Sequence, residues 1–161
     1  MRRVLRGLAA VTALCLVALA FLLAASPFLD GPVGPMPGGA LRAGALVALP
    51  SHWPEDAVGP TVELETNVER PWSVTTWAVA LDGALYVPAD FLNPVKRWPS
   101  LVAADPRVVV RVRGNRYAGH ATWIRDPETI ARLRAAFARK YDLAPDGRAA
   151  RAEVWFLRID P

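Results

Sequence analysis

The chain has 161 residues, with 19 basic and 15 acidic side chains and a pI of about 9.8. This length allows one domain with an appendage. Arg2, Arg3 and Arg6 lie at the extreme N-terminus, and without them the basic residues exceed the acidic ones by only one. No basic stripe remains for a phosphodiester backbone, so the composition argues against nucleic-acid binding.

The N-terminal arginines precede an uncharged apolar segment, residues 7–25. In a helix at about 1.5 Å per residue it reaches roughly 28 Å, enough to span a hydrocarbon core. The positive-inside rule then predicts a single-pass anchor in the cell membrane, with a cytoplasmic N-terminus and the remaining chain outside. A cleaved signal peptide has the same layout with a shorter apolar region, and a buried core helix is a third alternative. Pro27 and Phe28 make a poor processing site after Ala25, which favours the uncleaved anchor.

Proline and glycine crowd the chain after this segment, with seven of them between residues 31 and 39. Neither a helix nor a strand ladder tolerates that density. The composition therefore predicts three parts: a basic tip and anchor (residues 1–29), a tether (residues 30–60) and a globular domain (residues 61–161). Within the tether, Leu41–Leu49 is apolar enough for a short strand or helix that lies against the domain or against the membrane surface.

Five stretches of the domain have strand character. Residues 61–68 alternate apolar and polar side chains, as in a half-buried strand. Two further pairs of β-forming runs flank turn residues, and Asp-Gly in particular favours a tight hairpin because glycine accepts a positive φ. The predicted hairpins join Trp72–Val79 to Ala84–Val87 around Asp82-Gly83, and Arg107–Val112 to Tyr117–Ile124 around Gly114-Asn115.

One long helix follows these hairpins. Asp126 is a suitable N-cap, and Pro127 fits the first helical position. Apolar residues then recur at spacings of three and four as far as Tyr141, which gives one apolar stripe. After a break at residues 145–147, Glu153–Ile159 predicts a last strand. About six strands with this helix indicate a mainly β (α+β) domain that closes as a small antiparallel barrel.

The order of these elements resembles the split β-barrel superfamily, which includes pyridoxamine 5′-phosphate oxidase-like flavin proteins and deazaflavin-dependent nitroreductases. The resemblance covers residues 62–159, and its best local match is the segment from Lys96 to Val108, which contains Asp105-Pro106-Arg107. The resemblance implies a barrel that binds FMN or a deazaflavin and reduces small molecules. Two features depart from the family pattern: Val95 stands where serine is frequent, and residues 69–72 replace a Gly-Arg-x-Ser-Gly-like turn.

The resemblance also implies which residues would contact the cofactor. Lys96 and Arg97 match the basic cluster that holds the phosphate, and Trp98 follows them where it could stack on the ring. The strand containing Thr75, Thr76 and Trp77 matches the strand that contacts the flavin ring. Each residue also has a plainer interpretation: a solvated basic pair at a loop, a tryptophan that plugs the barrel end, and ordinary strand formers.

The remaining chemically active residues form no recognisable catalytic motif. His120 lies on a predicted strand, where a hydrogen-bonded or exposed histidine is the commonest case. His52 precedes Glu55 and Asp56, but no second ligand has the spacing of a metal site. Cys15, the only cysteine, lies in the apolar segment and excludes an intrachain disulfide.

Two functions therefore follow from the sequence. In the first, the domain binds FMN or a deazaflavin and acts as a nitroreductase-like oxidoreductase. In the second, the barrel has no cofactor and is a membrane-tethered binding or structural module. Because split barrels commonly dimerise and the chain is rich in tryptophan, we also expect a homodimer. Its interface is expected to include some of Trp72, Trp77, Trp98, Trp123 and Trp155.

Overall fold

The computed structural model describes residues 2–89, 96–144 and 154–161. Within these ranges, three α-helices and two short 3₁₀ helices (Ser26–Phe28 and Glu55–Ala57) accompany one sheet of short, mostly antiparallel strands. The α-helices are α1 (Arg2–Ala25), α2 (Trp98–Ala104) and α3 (Pro127–Tyr141). The strands are β1 (Leu46–Val47), β2 (Val62–Thr66), β3 (Trp72–Thr76), β4 (Val79–Leu81), β5 (Ala84–Ala89), β6 (Arg107–Val112), β7 (Asn115–Ile124) and β8 (Trp155–Asp160).

The order of the strands shows that the sheet curls into a barrel. The hydrogen-bonded order is β3-β2-β6-β7-β8-β5-β4, with β1 added in parallel beside β7. The two edge strands are β3 and β4, which only Trp77 and Ala78 separate along the chain. Since consecutive Cα atoms are about 3.8 Å apart, the end of β3 and the start of β4 lie within roughly 11 Å of each other. The edges meet without pairing, which is the architecture of a split β-barrel and confirms the predicted fold class.

The predicted single strand Trp72–Val79 is wrong, because this run forms two strands at opposite edges of the sheet. Residues of β3 pair with β2, whereas β4 pairs with β5. The strand breaks at Ala78, where α3 takes over the backbone hydrogen bonds: the Ala78 amide donates to Tyr141 Oη (2.9 Å) and its carbonyl accepts from Lys140 Nζ (2.7 Å). Two side chains of the distant helix α3 cause this break, and the local sequence pattern does not predict them.

Both predicted turns exist. Asp82 and Gly83 have φ values of 51° and 80°, and they join β4 to β5 as a hairpin. The second turn uses Arg113 and Gly114, with φ values of 48° and 83°, so it lies one residue earlier than predicted. Its β6–β7 hairpin is confirmed.

The predicted helix and its cap are confirmed. The Asp126 side chain accepts a hydrogen bond from the Thr129 amide (2.7 Å), and Leu133 and Phe137 are buried against the sheet. The last predicted strand is present as β8. The predicted break at residues 145–147 and the predicted strand start at Glu153 lie outside the described residues.

The segment between α1 and β2 contacts the barrel. Residues 26–47, called the strap below, cross the outer face of β2, β3, β6 and β7. Gly38 exchanges two backbone hydrogen bonds with Ser73 of β3 (2.9 and 3.0 Å), and Leu41 is 3% exposed. Of the alternatives for Leu41–Leu49, the short strand against the domain is confirmed as β1. The division of the chain at residues 30 and 60 stays a prediction.

We expect Gly38→Ala to destabilise the barrel. A Cβ atom at Gly38 would lie 1.7 Å from the carbonyl oxygen of Gly31, so backbone must move to accept it. Overpacking of this kind costs about 1–3 kcal/mol. The matched control is Gly59→Ala, whose Cβ would meet only the Thr61 oxygen at 3.8 Å. Thermal unfolding of both variants checks this, and equal melting temperatures would show that the strap does not contribute to stability.

Candidate functional site

The helix α2 defines one end of the barrel, called the α2 end below. It connects β5 to β6, and the register places Trp72, Thr66 and Val108 side by side at this end. Trp155 lies opposite Ala89 at the same ends of β8 and β5. The topology therefore gathers the basic pair and several tryptophans that are far apart in the sequence.

Lys96 and Arg97 are both exposed directly before α2. The Arg97 guanidinium carbon lies 5.6 Å from the centre of the Trp72 indole, within the range of a cation–π contact. The Arg97 side chain is exposed, and a guanidinium there could donate two parallel hydrogen bonds to an anion. Arg107, at the start of β6, is neutralised by Asp105 (2.6 Å), and the hydrogen bonds from Arg107 lower the pKa of Asp105 to about 2.

Trp98 is 4% exposed and belongs to the barrel core. Its indole packs among the residues that close the α2 end, which agrees with the interpretation of a plug. Stacking of Trp98 on a bound ring stays a prediction.

The three strand residues lie in different environments. Thr75 is opposite Glu63 and lines a cleft of about 320 Å³ on the outer face of the sheet. Thr76 is opposite the buried Val62 and so lies on the inner face. Trp77 stacks on Tyr141, with ring centres 4.5 Å apart. The structure thus brings Lys96, Arg97 and Trp98 together at the α2 end and carries Trp77 towards the other end.

The strap contacts the edge of β3 between the two groups of residues that the resemblance assigns to the cofactor. Because Ser73 exchanges its backbone hydrogen bonds with Gly38, its amide and carbonyl point away from β2. By the alternation of an antiparallel pair, the backbone groups of Thr75 point to the same edge. Lys96 and Arg97 are exposed at the α2 end, whereas Gly38 of the strap lies beside β3 at Ser73, between Trp72 and Thr75 along the strand.

A cluster that the sequence analysis missed joins the end of α3 to the barrel. Lys140 Nζ donates to the carbonyl oxygens of Val58 (3.1 Å), Gly59 (2.9 Å) and Ala78 (2.7 Å), and burial lowers its pKa. The hydroxyl oxygen of the neighbouring Tyr141 accepts from the Ala78 amide (2.9 Å), and the hydroxyl lies within donating distance of the Ala78 carbonyl oxygen (2.9 Å). These contacts fix the crossover between β3 and β4. No local pattern predicts them, since they join residues more than 60 positions apart.

The outer face of β2 carries carboxylates that hold the strap. Glu65 is 8% exposed and accepts a hydrogen bond from the Leu41 amide (2.6 Å). Burial raises the pKa of Glu65 above its ordinary value, although that hydrogen bond and the nearby Arg116 oppose the shift. On the same face, Glu63 pairs with Arg111, which also contacts Asp30 of the strap (3.1 Å).

We expect Glu65→Gln to change the pH dependence of stability. A pKa that is higher in the folded chain than in the unfolded chain means that the folded chain binds the proton more tightly. The wild-type barrel therefore gains stability relative to Glu65→Gln as the pH falls from neutral through the region around the ordinary pKa of 4.5. Melting temperatures of both proteins across this range measure the difference. The exposed Glu55→Gln is the control, and a pH-independent difference at Glu65 would contradict the prediction.

The histidines form no metal site in the described parts of the chain. His120 is exposed, and its Nδ1 lies 3.3 Å from the carbonyl oxygen of Pro161. His52 packs beside Gly83, where a Cβ atom would lie 2.3 Å from its Nδ1. Among the described residues, no group of three or more His, Cys, Asp or Glu side chains could hold a metal ion. Val95, where the family pattern has serine, lies outside those residues.

Comparisons with known proteins found similarities among solved structures. No protein-family model and no curated protein matches the chain. Among solved structures, it is similar to a candidate pyridoxamine 5′-phosphate oxidase from Listeria innocua, with 18% identity over 64% of this chain and 84% of that one and a TM-score of 0.48. It is also similar to a NimC/NimA family protein from Clostridium acetobutylicum, with 14% identity over 63% and 73% of the two chains and a TM-score of 0.46.

A third similar structure is an FAD-binding protein from Mesorhizobium loti, with 18% identity over 64% of this chain and 81% of that one and a TM-score of 0.46. All three likenesses concern the fold. The split β-barrel architecture itself rests on the strand order and on the edges of β3 and β4, which do not pair with each other. The ligand has to be inferred from the residues of this chain.

Proposed function

We propose that the protein is a membrane-anchored split β-barrel of oxidoreductase ancestry that binds a phosphorylated flavin-type cofactor at the α2 end. One observation carries the proposal: Lys96 and Arg97 are exposed side by side there, with Arg97 held over Trp72 at 5.6 Å. A cation–π contact restricts the Arg97 side chain, so the side chain loses less conformational freedom when it binds an anion. Charge-assisted hydrogen bonds to phosphate are the strongest contacts that the described part of this end offers.

The residues of the chain would bind and orient the cofactor. Lys96 and Arg97 would neutralise the phosphate, and the indole of Trp72 would keep the Arg97 guanidinium in place. When bound, a flavin or deazaflavin supplies a ring that accepts and passes on a hydride. Contacts of Thr75, Thr76 and Trp77 with that ring belong to the same proposal.

A second candidate is a tethered binding or structural module without a cofactor. One observation favours it: Gly38 of the strap already occupies the backbone groups of Ser73 on the edge of β3. The strap would then replace a ligand at this edge.

An absorbance spectrum separates the two candidates. The purified full-length chain is recorded alone and during titration with FMN and with a deazaflavin. Saturable spectral changes with either compound support the cofactor-binding protein. Their absence with both compounds, in a sample whose circular dichroism shows a folded barrel, supports the module.

We propose that α1 is an uncleaved membrane anchor with its N-terminus in the cytoplasm. Residues 11–28 have a mean hydropathy of 2.3, enough for a membrane span by length and composition. Ser26, directly after α1, is only 5% exposed and donates its hydroxyl to the Pro37 carbonyl (2.6 Å). Pro27 and Phe28 make a poor processing site after Ala25, which favours the intact chain.

The orientation is tested with reporters fused after Pro161. We expect a reporter that folds only outside the cytoplasm to be active there, because the arginines precede the apolar segment. The matched control is a cytoplasm-only reporter at the same position. Activity of that second reporter would contradict the orientation.

A further inference from the structure

The strap turns its polar groups towards the barrel. Both oxygens of Asp30 accept backbone hydrogen bonds within the strap, from Arg42 (2.6 Å) and Ala43 (3.0 Å), and Asp30 also pairs with Arg111 of β6 (3.1 Å). Arg116 of β7 donates to the carbonyl oxygens of Leu41 (2.8 Å) and Gly44 (3.0 Å). The barrel therefore satisfies much of the strap's hydrogen-bonding capacity without water.

The large apolar side chains of the strap are exposed instead. Phe28 is 78% exposed, Leu46 60%, Val33 55% and Val47 39%. Outside α1, the described residues include seven exposed large hydrophobic side chains, and these are four of them. Single exposed apolar residues are common, but a concentration on one segment marks an interaction surface.

The strap begins at the residue that follows α1. With 24 residues at about 1.5 Å each, α1 is roughly 36 Å long, somewhat more than the hydrocarbon core of a bilayer. The chain after Ala25 therefore leaves a spanning helix within the headgroup layer. Ser26 is tied at once to Pro37, and Gly39 donates to the Leu29 carbonyl (3.2 Å), so little free chain separates the helix from the barrel.

The charged residues around the strap are also compatible with a phospholipid headgroup layer. Arg42 and Arg113 are exposed, whereas the acidic Asp30 and Glu63 are both paired with Arg111. Exposed arginines beside apolar side chains are typical of segments that lie at a membrane interface, where they contact lipid phosphates.

We propose that the strap is a second membrane-binding element, which docks on the phospholipid headgroup layer where α1 leaves the bilayer. Phe28, Val33, Leu46 and Val47 enter the boundary between headgroups and acyl chains, while Arg42 contacts the phosphates. The barrel is then held on the membrane surface with β2, β3 and β6 towards the lipid and α3 away from it. This inference rests on the anchor proposed above and goes beyond it, because an anchor alone allows any orientation of the barrel.

Paramagnetic broadening tests this docking on the full-length chain. The protein is placed in nanodiscs of phosphatidylcholine and phosphatidylglycerol that contain a lipid with a nitroxide on its headgroup. We expect strong broadening of amide resonances in residues 28–47 and little at the exposed positions of α3, namely Ala131, Arg134 and Arg139. Equal broadening of the two regions, or none in the strap, would overturn the proposal.

Matched variants and an extraction assay complete the test. We expect Phe28→Ser with Leu46→Ser to reduce the broadening of the strap at least twofold, and Val68→Ser, an exposed apolar residue off the strap, to leave it unchanged. Unperturbed resonances of β5 and β8 show that each variant is folded. Extraction of the wild-type chain from membranes by alkaline carbonate would overturn the anchor, and the docking with it. A chain that resists extraction but shows no broadening of the strap overturns the docking alone.

Discussion

The double variant Lys96→Ala with Arg97→Ala is expected to weaken binding of FMN or a deazaflavin more than a hundredfold. Each charge-assisted hydrogen bond to phosphate contributes about 1.5–3 kcal/mol, so the loss of both cations costs about 3 kcal/mol or more. Thermal stability should change little, because both side chains are exposed. Fluorescence titration measures the affinity, and thermal unfolding without ligand measures the stability.

The matched control removes two other exposed cations. Arg134 and Arg139 lie on the outer surface of α3, and their double replacement by alanine changes the net charge by the same amount. We expect this control to bind the cofactor as the wild type does. Equal weakening in both variants would show that net charge attracts the ligand. A double variant at Lys96 and Arg97 that melts far below the wild type with unchanged affinity would show that the pair is structural.

Trp98→Ala is expected to destabilise the barrel by about 3–5 kcal/mol in the absence of any ligand. The side chain is 4% exposed in the core, and removal of a buried tryptophan leaves a cavity at the α2 end. Trp155→Ala, at the same end but 43% exposed, is the control and should cost much less. Chemical denaturation measures both variants. A Trp98 variant that is as stable as the wild type but has lost cofactor affinity would contradict the interpretation that Trp98 plugs the barrel end. It would support stacking of Trp98 on the cofactor ring.

Much of the fold could be predicted because its determinants are local. The positive φ values at Asp82 and Gly83 follow from their residue types, and the Asp126 cap precedes a regular apolar stripe. The break at Ala78 could not be predicted, because Lys140 and Tyr141 cause it from 60 positions away. The packing of the strap was missed for a related reason: glycine and proline density indicates irregular backbone, but it does not show whether Gly38 bonds to water or to Ser73.

The candidate site was only partly accessible to sequence reasoning. Lys96, Arg97 and Trp98 are adjacent in the chain. Their common location at the α2 end therefore follows from the position of α2 alone. Trp72 approaches Arg97 because β3 pairs with β2. The sequence instead predicts that the strand containing Trp72 pairs with Ala84–Val87. The alternation along β3 separates Thr75 from Thr76, since their side chains lie on opposite faces of the sheet. The homodimer stays a prediction, and Trp77 and Trp155, its most exposed candidates, lie at different ends of the strands.

A comparison of FMN with riboflavin isolates the contribution of the phosphate, since the two compounds differ only in that group. Each is titrated into the full-length chain while amide chemical shifts are recorded. We expect FMN to bind at least tenfold more tightly than riboflavin and to cause its largest shifts in residues 96–104 and around Trp72. Equal affinities for the two compounds, or shifts confined to residues away from the α2 end, would contradict a phosphate site at Lys96 and Arg97.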